Sequence, residues 1–129
     1  MREFIYIKYK SGYRQVLFSE VLYLEAEDKY TSIVTVNYKL QTLFALSSME
    51  QMLPTDIFCG IHRSYIVSLF HTKYFNSSVA VIGKKNIPIG RQFKSILHGR
   101  VITLANESLQ NVKLSAYDLA KLFKMKGSN

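Results

Sequence analysis

The chain has 129 residues, of which 48% are hydrophobic and 20% charged, the composition of a folded domain rather than a disordered or repetitive chain. Its 17 Lys and Arg against 9 Asp and Glu give a formal net charge of +8, which attracts polyanions, with nucleic acid as the first candidate and an anionic membrane surface as the second. A bilayer-spanning apolar run, a secretory signal and a second cysteine are all lacking in the sequence, so we expect a cytoplasmic domain without membrane insertion.

The first half of the chain has the residue pattern of β-strands. Ser11 and Gly12 mark a turn between two aromatic-rich runs, which predicts a hairpin. A charged break, residues 27–29, and a turn at Asn37 separate the runs that follow. The predicted strands of this half cover residues 4–10, 13–18, 21–26, 30–36 and 38–44.

One short helix is predicted to follow these strands. Ser47 and Glu50 have the S-x-x-E spacing of a capping box, in which a hydroxyl and a carboxylate bind free N–H groups at a helix start. Pro54 ends the helix because proline lacks an N–H and disfavours a helical residue before it.

Strand signals return after Pro54, and the chain then changes to helical spacing. The predicted strands cover residues 57–59, 65–67, 73–75, 79–82 and 87–89, with Pro88 placing the last at a sheet edge. Apolar residues from Phe93 to Leu104 recur at helical spacing. A last helix, Ser115 to Lys126, is predicted from a capping-box variant and a basic C-terminal end.

Enzymatic and metal-binding interpretations find little support in the sequence. Cys59 and His62 are spaced like two metal ligands, but a structural zinc needs four, and His71 and His98 supply no second pair. Cys59 lies in an apolar strand, where a thiol is usually buried and inert. We therefore expect no catalytic site, metal or cofactor.

Three stretches taken together resemble the LytTR family of bacterial DNA-binding domains. They are residues 21–26 followed by a polar segment and Tyr30, the Phe58-to-Val67 stretch with its His-Arg-Ser motif, and the Ile87-to-Lys94 stretch with its apolar-proline-apolar-small-arginine pattern. The resemblance covers about residues 2–104, so we predict a LytTR-like domain over 1–104 and a helical C-terminal extension over 105–129. Gly90 and Ser68 depart from the family's more frequent serine and asparagine.

The resemblance implies a mainly β fold of about ten strands in stacked sheets, with one short internal helix and C-terminal helices. It implies the output domain of a response regulator in a two-component system, reading double-stranded DNA with loops that enter successive major grooves. It also implies two copies on tandem half-sites. A receiver domain often precedes this module, and the sequence leaves open whether the chain is a standalone regulator or a fragment.

The resemblance brings eight residues forward as DNA-binding candidates. Arg91, on a connection after an edge strand, could pair with guanine O6 and N7, the alternative being a surface salt bridge. His62 could equally hold its loop through a backbone hydrogen bond, and Tyr30 could be half-buried core. The set is Lys29, Tyr30, Thr31, His62, Arg63, Ser64, Arg91 and Lys94.

The sequence also contains cations outside this set and allows an alternative function. Lys84, Lys85 and Arg100 are expected to add nonspecific attraction for phosphates. The numerous aromatic residues are interpreted as core rather than as stacking platforms for single strands. The alternative function is a membrane-surface or protein-interaction module that uses the basic helix at residues 115–126.

Overall fold

A computed structural model describes residues 3–105 of the chain and shows a mainly β architecture. Ten strands form three antiparallel sheets: β1 (Phe4–Tyr9), β2 (Gly12–Leu17), β3 (Val21–Glu27), β4 (Tyr30–Thr35), β5 (Lys39–Thr42), β6 (Phe58–His62), β7 (Tyr65–Ser68), β8 (Thr72–Phe75), β9 (Val79–Ile82) and β10 (Lys85–Pro88). Two short α-helices, α1 (Leu46–Met52) and α2 (Lys94–Arg100), and two 3₁₀ turns, Phe18–Glu20 and Arg91–Phe93, complete it. Every strand predicted from the sequence is present, and the mainly β fold class is confirmed.

The five-stranded sheet, in the order β5-β4-β3-β7-β6, is the central layer. The β1–β2 hairpin is a separate two-stranded sheet, and β10-β9-β8 form a third, in which β10 is an edge strand as Pro88 predicts. Proline cannot donate a hydrogen bond to a neighbouring strand, and an edge strand has a neighbour on one side only, so Pro88 is tolerated there.

Each face of the central sheet buries its own apolar cluster, because successive side chains of a strand point to opposite faces. One cluster joins Leu24, Ile33 and Ile66 of the central sheet to Val16 of the hairpin and Met49 of α1. The second lies between the central sheet and the β8–β10 sheet with α2, and its members are Cys59, Ile61, Val67, Ala80, Ile82, Ile87, Ile89 and Leu97. The central sheet is therefore held rigidly from both sides near β7 and β6.

Helix boundaries differ from the predictions. Helix α1 begins at Leu46 with Ala45 as its N-cap and no side-chain cap bond, so the capping box of Ser47 and Glu50 does not form. Helix α2 ends at Arg100; Val101 still packs against the second apolar cluster, whereas Leu104 is 98% exposed. The predicted helix at 115–126 lies outside the described residues.

The interpretation of the aromatic residues as core is wrong for many of them. Exposed rings belong to Phe4, Tyr6, Tyr9, Tyr13, Tyr30, Phe44, Phe70 and Tyr74. Phe4, Tyr6 and Tyr13 lie on the outer face of the hairpin, which no described element covers, so a position in a strand was not enough to place their rings in the core. Among residues 3–105, neither helix is long and apolar enough to cross a membrane.

Candidate nucleic-acid interface

Three segments singled out by the sequence meet at one end of the central sheet. The β3–β4 and β6–β7 turns lie side by side because β3 pairs with β7, and Ala26 N–H donates to the Ser64 carbonyl at 2.9 Å. The segment after β10 joins them because Gly90 N–H donates to the Ile61 carbonyl at 2.8 Å. Backbone hydrogen bonds thus hold three exposed connections in one row.

The β3–β4 turn presents Lys29 and Tyr30 to solvent. Glu27 pairs with Tyr30 across a two-residue turn, in which Asp28 has a φ of 47°. Aspartate tolerates this left-handed conformation better than most residues, which explains its position in the turn. Tyr30 is 45% exposed and belongs to neither of the two apolar clusters.

Thr31 does not face outward as the sequence analysis expected. Its side chain is 1% exposed, and its hydroxyl donates to the Phe44 carbonyl at 2.7 Å. The residue follows Tyr30 on β4, so the alternation of the strand turns it to the covered face. Thr31 therefore positions the connection between β5 and α1 rather than offering its hydroxyl to a base.

We expect Thr31→Val to destabilise the fold by about 1–3 kcal/mol, because the partly buried hydrogen bond to the Phe44 carbonyl is lost. Thr72→Val is a matched control, since the Thr72 hydroxyl donates to the Ser68 carbonyl at 2.7 Å in a different sheet. Urea denaturation should show similar losses of stability for both. DNA titration should show weakened binding for Thr31→Val alone; equal DNA affinity of the two variants would contradict the positioning role.

The β6–β7 turn is fixed by His62. Its Nδ1 accepts the Ser64 N–H at 3.0 Å, which agrees with the loop-holding alternative. The His62 ring packs at 5.7 Å from the ring of Tyr65, whose hydroxyl donates to Glu25 at 3.1 Å. Burial, then this bond to Glu25, raises the pKa of Tyr65, so the phenol stays protonated as a donor. With the turn held by these contacts, the Arg63 side chain is exposed at the tip of the β6–β7 turn.

A β-bulge in β6 brings the third segment to this turn. Gly60 pairs with Ile66 and His62 with Tyr65, so Ile61 is the extra residue, and its carbonyl accepts the Gly90 N–H. Bulges of this kind redirect a strand near functional sites. The bulge thereby connects the two segments that carry Arg63 and Arg91.

Gly90 has a structural reason to replace the serine more frequent in the family. A Cβ built on it would lie 2.9 Å from Cδ2 of Phe93, so the bare backbone lets this ring pack closely. The Phe93 N–H donates to the Gly90 carbonyl at 2.9 Å, closing a 3₁₀ turn, Arg91–Phe93, that leaves Arg91 exposed. Ser68, the other departure, is buried and accepts the His71 N–H at 3.3 Å, so it does not belong to the exposed row.

Arg63 and Arg91 line the same surface concavity of about 440 Å³, together with His62, Gln92 and Phe93. Within residues 3–105, one ion pair forms, between Lys39 and Glu27 at 3.2 Å, and it involves neither arginine. The salt-bridge alternative for Arg91 therefore has no partner in the described part of the chain. Two arginines that line one concavity favour an anionic or guanine-bearing ligand.

The carboxylate of Glu27, next to the row, is bound by three other side chains. Glu27 accepts hydrogen bonds from Ser32 at 2.8 Å, Lys39 at 3.2 Å and Gln41 at 3.5 Å. The bond from Ser32, followed by that from Lys39, lowers the pKa of Glu27. The network ties β3, β4 and β5 together beside Lys29 and partly offsets a negative charge that would repel phosphates.

The remaining cations are distributed unequally. Lys94 begins α2 and is partly buried, while Lys85 lies 5.8 Å and 5.9 Å from the ring centroids of Tyr23 and Tyr65. Arg100 donates to the Phe58 carbonyl at 3.1 Å and the Thr55 carbonyl at 3.4 Å, so it fixes the start of β6, a structural role that the sequence analysis did not expect.

Cys59 is fully buried, and burial is the main cause that raises the pKa of its thiol. A thiol of raised pKa is a poor nucleophile, because the thiolate is the reactive form. In the described range, no three His, Cys, Asp or Glu side chains cluster as metal ligands would.

The row also contains two residues that sequence reasoning missed. Leu43 and Phe44 are 76% and 59% exposed, and they leave β5 next to the β3–β4 turn. Two adjacent apolar residues that break period-two alternation just before a helix were the available signal.

Comparison with known proteins points to one family. The sequence model of the LytTr DNA-binding domain family matches residues 11–102 of this chain. A solved LytTr DNA-binding domain from Bacillus cereus superposes with a TM-score of 0.67 at 27% identity, covering 78% of this chain and 97% of that one.

Curated relatives include a CO-responsive transcriptional regulator, RcoM, of Rhodospirillum rubrum, 40% identical over 55 residues, which are 43% of this chain. The transcriptional regulatory protein NatR of Bacillus subtilis is 30% identical over 73 residues, 57% of this chain. The sensory transduction protein LytT of Bacillus subtilis is 28% identical over 89 residues, 61% of this chain. The matched segments cover 23%, 31% and 37% of these three relatives, so the chain spans a minor part of their length.

Proposed function

Because this chain belongs to the LytTr DNA-binding domain family, we propose that it binds double-stranded DNA with sequence specificity as the output module of a transcription regulator. The observation that carries the proposal is the single row formed by Lys29, Arg63 and Arg91. Three connections far apart in sequence are joined there by main-chain hydrogen bonds, and each exposes a cation. A rigid scaffold that presents basic loops is suited to reading a duplex.

We assign the contacts by what each side chain exposes. Arg63 and Arg91 read base edges, because a guanidinium can donate two parallel hydrogen bonds to guanine O6 and N7. Lys29, Lys94 and the Ser64 hydroxyl bind phosphate and fix the register without reading sequence. Tyr30 packs on the sugar-phosphate backbone beside them, and His62 and Thr31 hold the loops in position.

The width of the row supports contacts beyond a single groove. Neighbouring strands lie about 4.8 Å apart, so the end of a five-stranded sheet spans roughly 19 Å. The major groove of B-DNA is about 12 Å wide. We propose that the loops enter successive major grooves and cross the phosphates between them. Two copies on tandem half-sites would extend the same arrangement along the duplex.

We propose that the chain acts by binding, without a catalytic step. The buried Cys59 thiol, with its raised pKa, favours this assignment. The regulators that it resembles are longer than this chain. We propose that a receiver or sensor domain supplies the signal that controls DNA binding.

In vitro selection from random duplexes tests the proposal. The full chain is expected to enrich one motif, with at least one guanine that Arg91 contacts. Recovery of unrelated sequences after repeated rounds would contradict specific binding. Anionic vesicles in a parallel titration test the membrane-surface alternative, for which vesicle binding would exceed duplex binding.

A further inference from the structure

Leu43 and Phe44 form an exposed apolar corner at the β5 end of the row. Thr31 of β4 pairs with Thr42 of β5, so the chain leaves β5 at the same end of the sheet at which β4 begins with Tyr30. Leu43 is 76% exposed and Phe44 is 59% exposed. Large apolar side chains therefore face solvent beside the β3–β4 turn, which carries Lys29.

The backbone of this corner is held in place rather than left as a loose loop. The Thr31 hydroxyl donates to the Phe44 carbonyl at 2.7 Å, and the Phe44 N–H donates to the Thr42 hydroxyl at 3.3 Å. Helix α1 begins two residues later at Leu46, which packs against the apolar cluster under the sheet. A fixed backbone with exposed apolar side chains is suited to contact a surface, because little conformational entropy is lost on binding.

We infer that Leu43 and Phe44 contact the C5-methyl groups of thymines in the major groove and so determine specificity at one end of the binding site. The inference rests on the proposed function. The thymine methyl is the apolar group that base pairs present in the major groove, and phenylalanine is among the side chains that contact it. The corner adjoins the cation Lys29, which would hold the neighbouring phosphate and bring the apolar pair to the groove. The two ends of the row then read different features, guanine at Arg91 and thymine at Phe44.

Replacing single thymines by deoxyuridine tests this inference, because uracil keeps the base-pairing groups of thymine and lacks only the methyl. The probe is the duplex that the full chain selects from random sequences. Loss of a buried methyl contact should weaken binding about three- to fivefold at one or two thymine positions. Leu43→Ala/Phe44→Ala should bind the parent duplex more weakly and should no longer distinguish thymine from uracil at those positions.

Val36→Ala is the matched control, since Val36 is 51% exposed and lies in the β4–β5 turn at the opposite end of the sheet. It should keep the parent's response to uracil. All replaced side chains are exposed, and thermal unfolding checks that each variant remains folded.

Two results would overturn the inference alone: a preferred duplex whose binding is indifferent to every uracil substitution, or a double variant that still distinguishes thymine from uracil. If the parent selects no preferred duplex at all, the proposed function fails and the inference with it.

Discussion

Replacing Arg91 by alanine is expected to weaken binding to the preferred duplex by about 1–3 kcal/mol and to relax base preference at one position. Arg91 is exposed at the start of a 3₁₀ turn that the Gly90–Ile61 and Phe93–Gly90 hydrogen bonds hold in place. Removing the guanidinium deletes a base contact while the backbone of the turn remains. Titration of single-base variants of the preferred site measures both effects.

Lys84→Ala is the matched control for Arg91→Ala. Lys84 is exposed in the β9–β10 turn, next to Gly83 with its φ of 61°. Lys84→Ala should weaken binding to all duplexes by a similar factor, since a phosphate contact carries no sequence information. If Arg91→Ala likewise weakened every duplex equally, or had no effect, Arg91 would be an ordinary surface charge.

Affinity for duplex DNA is expected to fall roughly a hundredfold between 50 mM and 200 mM salt. Four lysines are expected to neutralise phosphates: Lys29 and Lys94 at the row, and Lys84 and Lys85 at the β9–β10 turn. Each phosphate that is neutralised releases condensed counterions and contributes about −0.9 to the slope of log affinity against log salt. Four such contacts give a slope of about −3.6 by the same relation. Fluorescence titration at several salt concentrations measures the slope, and a nearly flat dependence would contradict the electrostatic part of the proposal.

The strands could be predicted from the sequence because period-two patterns and turn residues are local signals. Local patterns also indicated Pro88 as an edge residue, which β10 confirms. The capping box of Ser47 and Glu50 is also a local pattern, but it was wrong. Its spacing fits a helix start, whereas the helix begins earlier, at Leu46, which packs against the apolar cluster.

The candidate site could be predicted as separate residues but not as an arrangement. The β3–β7 pairing and the Ile61 bulge are nonlocal, and they bring Lys29, Arg63 and Arg91 into one row. The burial of Thr31 follows from strand register, which turns it away from solvent. Phe44 follows β5, and the break in alternation at Leu43 and Phe44 was a local signal, but its exposure depends on which surfaces the neighbouring elements cover.

The ratio of affinities for the selected duplex and for a scrambled duplex of equal length and composition tests the central claim most directly. Both should be measured with the full chain at the same physiological salt, because electrostatic attraction alone binds the two equally. Sequence-specific binding by this domain predicts a ratio of about a thousand or more. Equal affinities would contradict it and would leave the row of cations as a nonspecific polyanion-binding surface.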